Sequence, residues 1–188
     1  MMSTLHLKLI HPFYYTLVAQ TLNYSLLMRY STSSSQKHGR LKNTTSSPFA
    51  KTAEGNTYAF YKNVEVEGEY PIVLIWEDDE AEYVAKNFED FIFRKMLEAA
   101  DDIDKDDLYA DYGKDEPMEL YRTDLKTDLK AIRPYLKDEY ISVLEEAYNG
   151  EVLETLIAYG FKSTKPVKEV MKEMLDFELM GEVFDHEG

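Results

Sequence analysis

The run GNTYAFYKNVEVEGEYPIVLIWEDDEAEYVAKNFEDFIFRKML, residues 55–97, holds three strand signals and a capped helix in succession. Gly55-Asn56 is a turn pair, and Tyr58-Ala59-Phe60-Tyr61 after it is rich in β-formers. Ile72-Val73-Leu74-Ile75-Trp76 is an unbroken apolar run of strand length. It is entered through Pro71, which can stand at a strand start where no N–H is needed. Glu77-Asp78-Asp79-Glu80 breaks that pattern as a turn, and Tyr83-Val84-Ala85 can return as the hairpin partner. Asn87 offers its side-chain oxygen to the free N–H groups of a helix beginning at Phe88, with Asp90 at the third helical position. Phe88, Phe91, Ile92 and Met96 recur at three- and four-residue steps, so one helix face is apolar. The expected product is an α+β fold: a small antiparallel sheet with a helix laid across it.

The segments Pro48-Phe49-Ala50, Glu54 to Phe60, Tyr70-Pro71-Ile72-Val73, Trp76-Glu77-Asp78-Asp79 and Val84 to Phe91 together resemble the second half of the SUKH superfamily. That superfamily includes fungal cell-wall-regulator domains and many bacterial immunity proteins. Its pattern is a proline-phenylalanine-alanine strand, a glycine-bearing turn, a strand with an aromatic, a tryptophan-acidic turn and a capped phenylalanine-acid-acid-phenylalanine helix. The matching residues are packing residues. The resemblance implies a protein that binds and neutralises a cognate toxin, commonly a nuclease, in the cytosol.

Charge divides the chain. Residues 1–50 contain five Lys or Arg and no Asp or Glu. Removing those five from the whole-chain totals of 21 basic and 36 acidic residues leaves a net of −20 over 51–188. The shift near Pro48 marks a boundary: 1–47 as an atypical segment, 48–188 as a SUKH-like domain with a helical extension from about 117. At 188 residues with 44% apolar content, the chain can bury one sizeable core. The absence of cysteine excludes disulfides and thiolate metal sites and suits a cytoplasmic protein. The overall charge of −15 disfavours nucleic acid and anionic membrane and favours a basic protein partner.

In the first segment, Pro12, Gln20 and Asn23 interrupt the apolar stretches well short of the ~20 residues of a membrane span. Ser31 to Lys37 reads as a polar linker. An acid-free, Ser-rich leader has the look of a transit peptide but too few arginines, and a secretory signal fits worse with His11 and Pro12 in its core. The helices and the leucine-proline and asparagine-glycine-glycine segment that open SUKH domains are missing. The segment is therefore expected to be partly disordered or to replace the usual first half through a displaced start or reading frame.

Beyond the central helix, carboxylates alternate at Asp102, Asp104 and Asp106 as in a calcium loop. The sixth position is then Asp107 instead of Gly, and the twelfth is Gly113 instead of Glu, so a solvated acidic loop is expected. From Pro117 the pattern is helical: Leu120, Leu125, Leu129 and Ile132 on one face, ended by Pro134. A second helix is expected to be capped by Asp138, with Ile141, Leu144 and Tyr148 inward and a stop at Asn149-Gly150. Leu153 to Tyr159 reads as a strand or a short helix. Ser163 to Pro166 reads as the cap and first turn of a last helix faced by Val167, Val170, Met171, Met174 and Leu175. Phe177 to Met180 is expected to return as an extended tail. Arg133-Pro134-Tyr135-Leu136 and Phe177-Glu178 resemble the helical extension of some Bacillus-type SUKH proteins.

All four histidines, His6, His11, His38 and His186, lie in the termini, so a histidine relay or zinc site in the middle of the chain is not expected. No phosphate-cradling glycine loop is present, and no cofactor or metal is expected. The leading expectation is a non-enzymatic immunity protein that plugs a basic toxin domain, which the SUKH resemblance implies to be a nuclease. Its contacts would be Trp76, Glu77, Asp78, Asp79, Glu80 and Tyr83, with Asp101 and Asp102. A regulatory scaffold like the fungal members and a carboxylate-based hydrolase are the alternatives.

Overall fold

The computed structural model describes residues 45–186 apart from Ala53. The expectations for 1–47 fall outside these residues except at the very start of the first strand.

The chain begins with β1 (Ser46–Lys51), β2 (Thr57–Tyr61), β3 (Ile72–Ile75) and β4 (Glu80–Ala85), followed by α1 (Phe88–Glu98). Next come β5 (Ile103–Asp104), α2 (Lys105–Tyr112), α3 (Pro117–Ile132), a 3-10 turn (Arg133–Tyr135) and α4 (Asp138–Asn149). The hairpin β6 (Val152–Glu154) and β7 (Ala158–Phe161), α5 (Val167–Leu175) and β8 (Val183–Asp185) complete it. Neighbouring strands in the main sheet run antiparallel in the order β1-β2-β3-β4-β8, and β5-β7-β6 form a smaller sheet. The class is α+β, as expected.

Alternation explains the unbroken apolar run of β3. Ile72 and Leu74 face the helices, with Tyr58 and Phe60 of β2 beside them. Val73 and Ile75 face the opposite side, with Ala59 and Tyr61. Both faces are covered, so neither needs to be polar. Asn87 caps α1 as expected, its Oδ1 accepting the Asp90 N–H at 2.9 Å. Phe49 is the extra residue of a bulge in β1, because Pro48 pairs with Ala59 while Ala50 pairs with Tyr58. Its ring meets Phe88 and Phe91 edge-on at 5.7 and 5.5 Å, closing the sheet against the helix.

α1 buries more than one stripe: Phe93 and Leu97 are covered as well as Phe91, Ile92 and Met96. It lies between β4 and the helices α4 and α5. The Phe93 ring stacks on Tyr140 of α4 at 4.0 Å. The C-terminal part thus shares one core with the sheet instead of hanging from it, and it contributes three strands beside its helices.

Several local expectations are corrected. Leu120 is 48% exposed, and the inward face of α3 is set by Met118 and Tyr121 ahead of Leu125, Leu129 and Ile132. Tyr121 is drawn in by the Tyr112 ring of α2 at 5.9 Å. Asp138 is the first residue of α4, not its cap; the Lys137 N–H that precedes it donates to Glu89 Oε1 of α1 at 2.6 Å. Pro166 stands before α5, not inside its first turn, and neither Ser163 nor Thr164 caps the helix by its side chain. The returning strand is Val183–Asp185, paired with β4, while 177–181 turn beneath the sheet. Phe177 and Leu179 cover its second face there. The acidic segment after α1 is not one loop: Ile103–Asp104 pair with β7, and Asp104 caps α2 by accepting from Asp106 and Asp107.

Candidate partner-binding surface

Trp76, Glu77, Asp78 and Asp79 turn the chain between β3 and β4. The Trp76 N–H donates to the Glu80 carbonyl at 2.9 Å and the Asp79 N–H to the Trp76 carbonyl at 3.3 Å. Asp79 sits at φ 65°, a left-handed conformation that aspartate tolerates. The tail then ties this turn down, since the His186 N–H donates to the Asp79 carbonyl at 2.7 Å. Glu77 to Glu80 are all exposed, and none of the four has a lysine or arginine partner among the described residues. Glu80 is also the first residue of β4, opposite Asp185 of β8. Trp76 is half-buried and belongs to neither apolar cluster.

Tyr83 stands elsewhere. Its ring is buried on the second face of the sheet, 4.7 Å from Phe184 and 6.0 Å from Phe177. Burial, with Tyr61 and Glu182 nearby, pushes its hydroxyl above the usual tyrosine range. As a core residue it is not presented to a partner.

Asp101 and Asp102 follow the end of α1 on an exposed bend, with Asp102 at φ 51°. They sit where two hollows meet. One, of about 460 Å³, is rimmed by Glu54, Asp104, Asp107 and Asp111 over a floor that includes Tyr58, Tyr112 and Tyr121. The other, of about 490 Å³, opens toward Glu82, Val167, Met171 and Met180. Glu98 lines both, bound by Arg94 Nε at 2.7 Å and Lys95 Nζ at 2.6 Å. Burial pushes the Glu98 carboxyl up, but Lys95 and Arg94 outweigh it and hold the group below its ordinary range. The β1–β2 turn links this region to the acidic turn: Glu54 lines the first hollow, and a side chain on Gly55 would meet Glu77 Oε1 at 3.3 Å. The structure therefore gathers the two acid groups around one turn and leaves Tyr83 out.

The carboxylates pushed upward lie apart from this surface. Asp90 is sealed inside the core, where burial raises its carboxyl against the opposing pull of Tyr140 and Lys137. The Tyr140 hydroxyl donates to Asp90 Oδ1 at 2.7 Å, and Oδ2 has no hydrogen-bond partner among the described residues. Asp128 on α3 is raised to about 6 by burial and by neighbouring Asp124. Among the described residues, no three histidine or carboxylate side chains converge as metal ligands, and no helix is long and apolar enough to cross a membrane.

Sequence reasoning missed the tyrosine-floored hollow, because its wall comes from the β1–β2 turn, α1, α2 and α3. It also missed the tip of the β6–β7 hairpin, where Leu156 and Ile157 are exposed; Leu153 to Tyr159 reads as apolar without saying which side faces water. The surface defines an acidic α+β protein with hydrogen-bonded, carboxylate-bearing turns. No known protein family, curated protein or solved structure matches this chain.

Proposed function

We propose that this chain is an immunity protein of the SUKH kind, acting in the cytosol by occluding a basic toxin domain, in the first instance a nuclease. The observation that supports this reading is the acidic turn. Glu77, Asp78, Asp79 and Glu80 are exposed, without basic partners among the described residues, and held in place by backbone hydrogen bonds from both strands and the tail. The backbone that carries these carboxylates is already ordered, so side-chain freedom is what remains to be lost when a lysine or arginine meets them. A nuclease cleft is lined with such cations for phosphate, and a chain of net charge −15 is drawn to it by long-range attraction. No covalent chemistry is needed: filling the cleft keeps substrate out.

The test begins with the neighbouring genes, where a modular toxin supplies the partner domain. Co-expression with this chain should rescue growth. Association of the two purified proteins should then slow about tenfold when the four acids become Glu77→Gln, Asp78→Asn, Asp79→Asn and Glu80→Gln, with a flatter salt dependence. An unchanged on-rate rejects this surface. The lack of any toxin whose lethality the chain relieves rejects immunity in favour of a scaffold.

A further inference from the structure

The β6–β7 hairpin carries an exposed aliphatic tip that nothing in its own fold requires. Leu156 is 93% exposed and Ile157 72%, with Leu153 of β6 also uncovered. The turn does not demand these residues, since short hairpin turns are served best by Asn, Asp and Gly. Nor is the tip loose. Lys105 of α2 donates to Glu154 Oε1 at 2.7 Å and to the Thr155 carbonyl at 2.6 Å, and its ammonium lies 4.7 Å from the Tyr159 ring centre. The Tyr109 and Tyr159 hydroxyls bond at 2.8 Å, and Thr155 Oγ1 bridges the turn by accepting from the Ala158 N–H. A pair of branched aliphatic side chains in water, carried on a hydrogen-bonded turn, is the makeup of an anchor.

The surroundings name the occupant. Leu153 lies opposite Gly160 in the ladder, so the two share a face. A side chain on Gly160 would meet Asp101 Oδ1 and the backbone of Asp102 at 3.7 Å, so the bend after α1 packs against this face of the ladder and brings Asp101 to it. At the tip, the Ile157 carbonyl accepts the Lys105 N–H, placing the first turn of α2 with Asp106 and Asp107 beside it. Asp101, Asp102, Asp106 and Asp107 are exposed and have no basic partner among the described residues. Among the described residues β6 is an edge strand whose outer side is unpaired.

We infer that the β6–β7 hairpin is a docking surface for an extended, basic segment of a partner protein, which seats aliphatic or aromatic side chains on Leu153, Leu156 and Ile157 and points lysine or arginine at Asp101, Asp102 and Asp106. A second copy of this chain is disfavoured by the same carboxylates, which would meet their own kind, and an anionic lipid surface is repelled likewise. This inference goes beyond the toxin reading, because any basic partner satisfies it and the acidic turn of residues 77–80 is not involved.

The test uses the full chain and a random peptide library displayed on phage. Enriched sequences are expected to alternate apolar residues with lysine or arginine. A synthetic peptide from that set should lose about tenfold or more in affinity for the Leu156→Asp/Ile157→Asp variant. It should bind the Asp101→Asn/Asp102→Asn/Asp106→Asn variant more weakly and with less response to salt. Melting temperatures equal to wild type establish that both variants fold, and Leu156→Ser replaces the double change if it melts early. Peptides that lack basic residues, or that bind all variants alike, overturn the proposal. So does a dimer of the chain in light scattering that the Leu156→Asp/Ile157→Asp change dissolves. A toxin found to dock through the 77–80 turn leaves this test standing.

Discussion

Asn87 and Gly150 show how single residues carry structure for different reasons. Asn87 gives α1 its start by accepting the Asp90 N–H, and nothing else in the first turn does that work with a side chain. Asn87→Ala should cost about 1 kcal/mol in urea denaturation; no measurable loss would mean the helix end is satisfied by water. Gly150 ends α4 at φ −60°, so its backbone needs no glycine. The space does: a Cβ there would stand 2.3 Å from the Lys162 carbonyl oxygen and 3.1 Å from that of Ala147. Replacing glycine with alanine at a permissive φ ordinarily gains about 0.4–1 kcal/mol through the unfolded chain. Overpacking costs about 1–3 kcal/mol, because β7 and α4 must part. Gly150→Ala is therefore expected to destabilise, and a gain in melting temperature would show that the chain after β7 yields freely.

At the scale of elements, what was readable from sequence was what is local. The cap, the period of Phe88, Phe91, Ile92 and Met96, and the strand-length apolar run from Ile72 depend on near neighbours, and the structure keeps them. Most of the errors involve distant partners. The inward face of α3 is chosen by Tyr112 of α2, α4 is entered through Glu89 of α1, and the returning strand is selected by the free edge of β4. The candidate surface divides the same way. Glu77 to Glu80 could be read as an exposed turn, but only the tertiary fold puts Tyr83 inside and sets Glu54 between the two acid groups. The hairpin gives a matching prediction. Lys105 is the cation that binds both Glu154 and Thr155, so Lys105→Met should speed hydrogen exchange across 152–161 while leaving α1 protected. The global cost should be under about 1 kcal/mol, because Glu154 is largely exposed. Faster exchange throughout the chain would mean that the hairpin is not a separate unit.

For the molecule as a whole, excess negative charge sets how stability responds to pH. A net charge of −15 repels itself in the compact state. Asp90 and Asp128 add to this, each pushed upward first by burial. For such groups the native state holds the proton more tightly than the unfolded chain. Their contribution is fully present below the unfolded value near 4 and is lost as pH rises through the folded value, about 6 for Asp128. Glu98 runs the other way: held low against its burial by Lys95 and Arg94, it stabilises above the ordinary carboxylate value and loses that contribution as pH falls through its folded value. The melting temperature should therefore climb as pH drops from about 7.5 toward 5 and fall again under stronger acid. Asp128→Asn should raise stability at neutral pH and flatten the climb, since the amide has no charge to bury; Asp90→Asn should flatten it too while keeping an acceptor for the Tyr140 hydroxyl. Melting curves across this range at low and high salt separate the two causes. Salt screens the surface repulsion and flattens that part of the slope in every variant, whereas the part due to Asp128 survives salt and disappears only with the substitution. Equal slopes for wild type and Asp128→Asn at high salt would place the whole effect in the surface charge and remove Asp128 from the explanation.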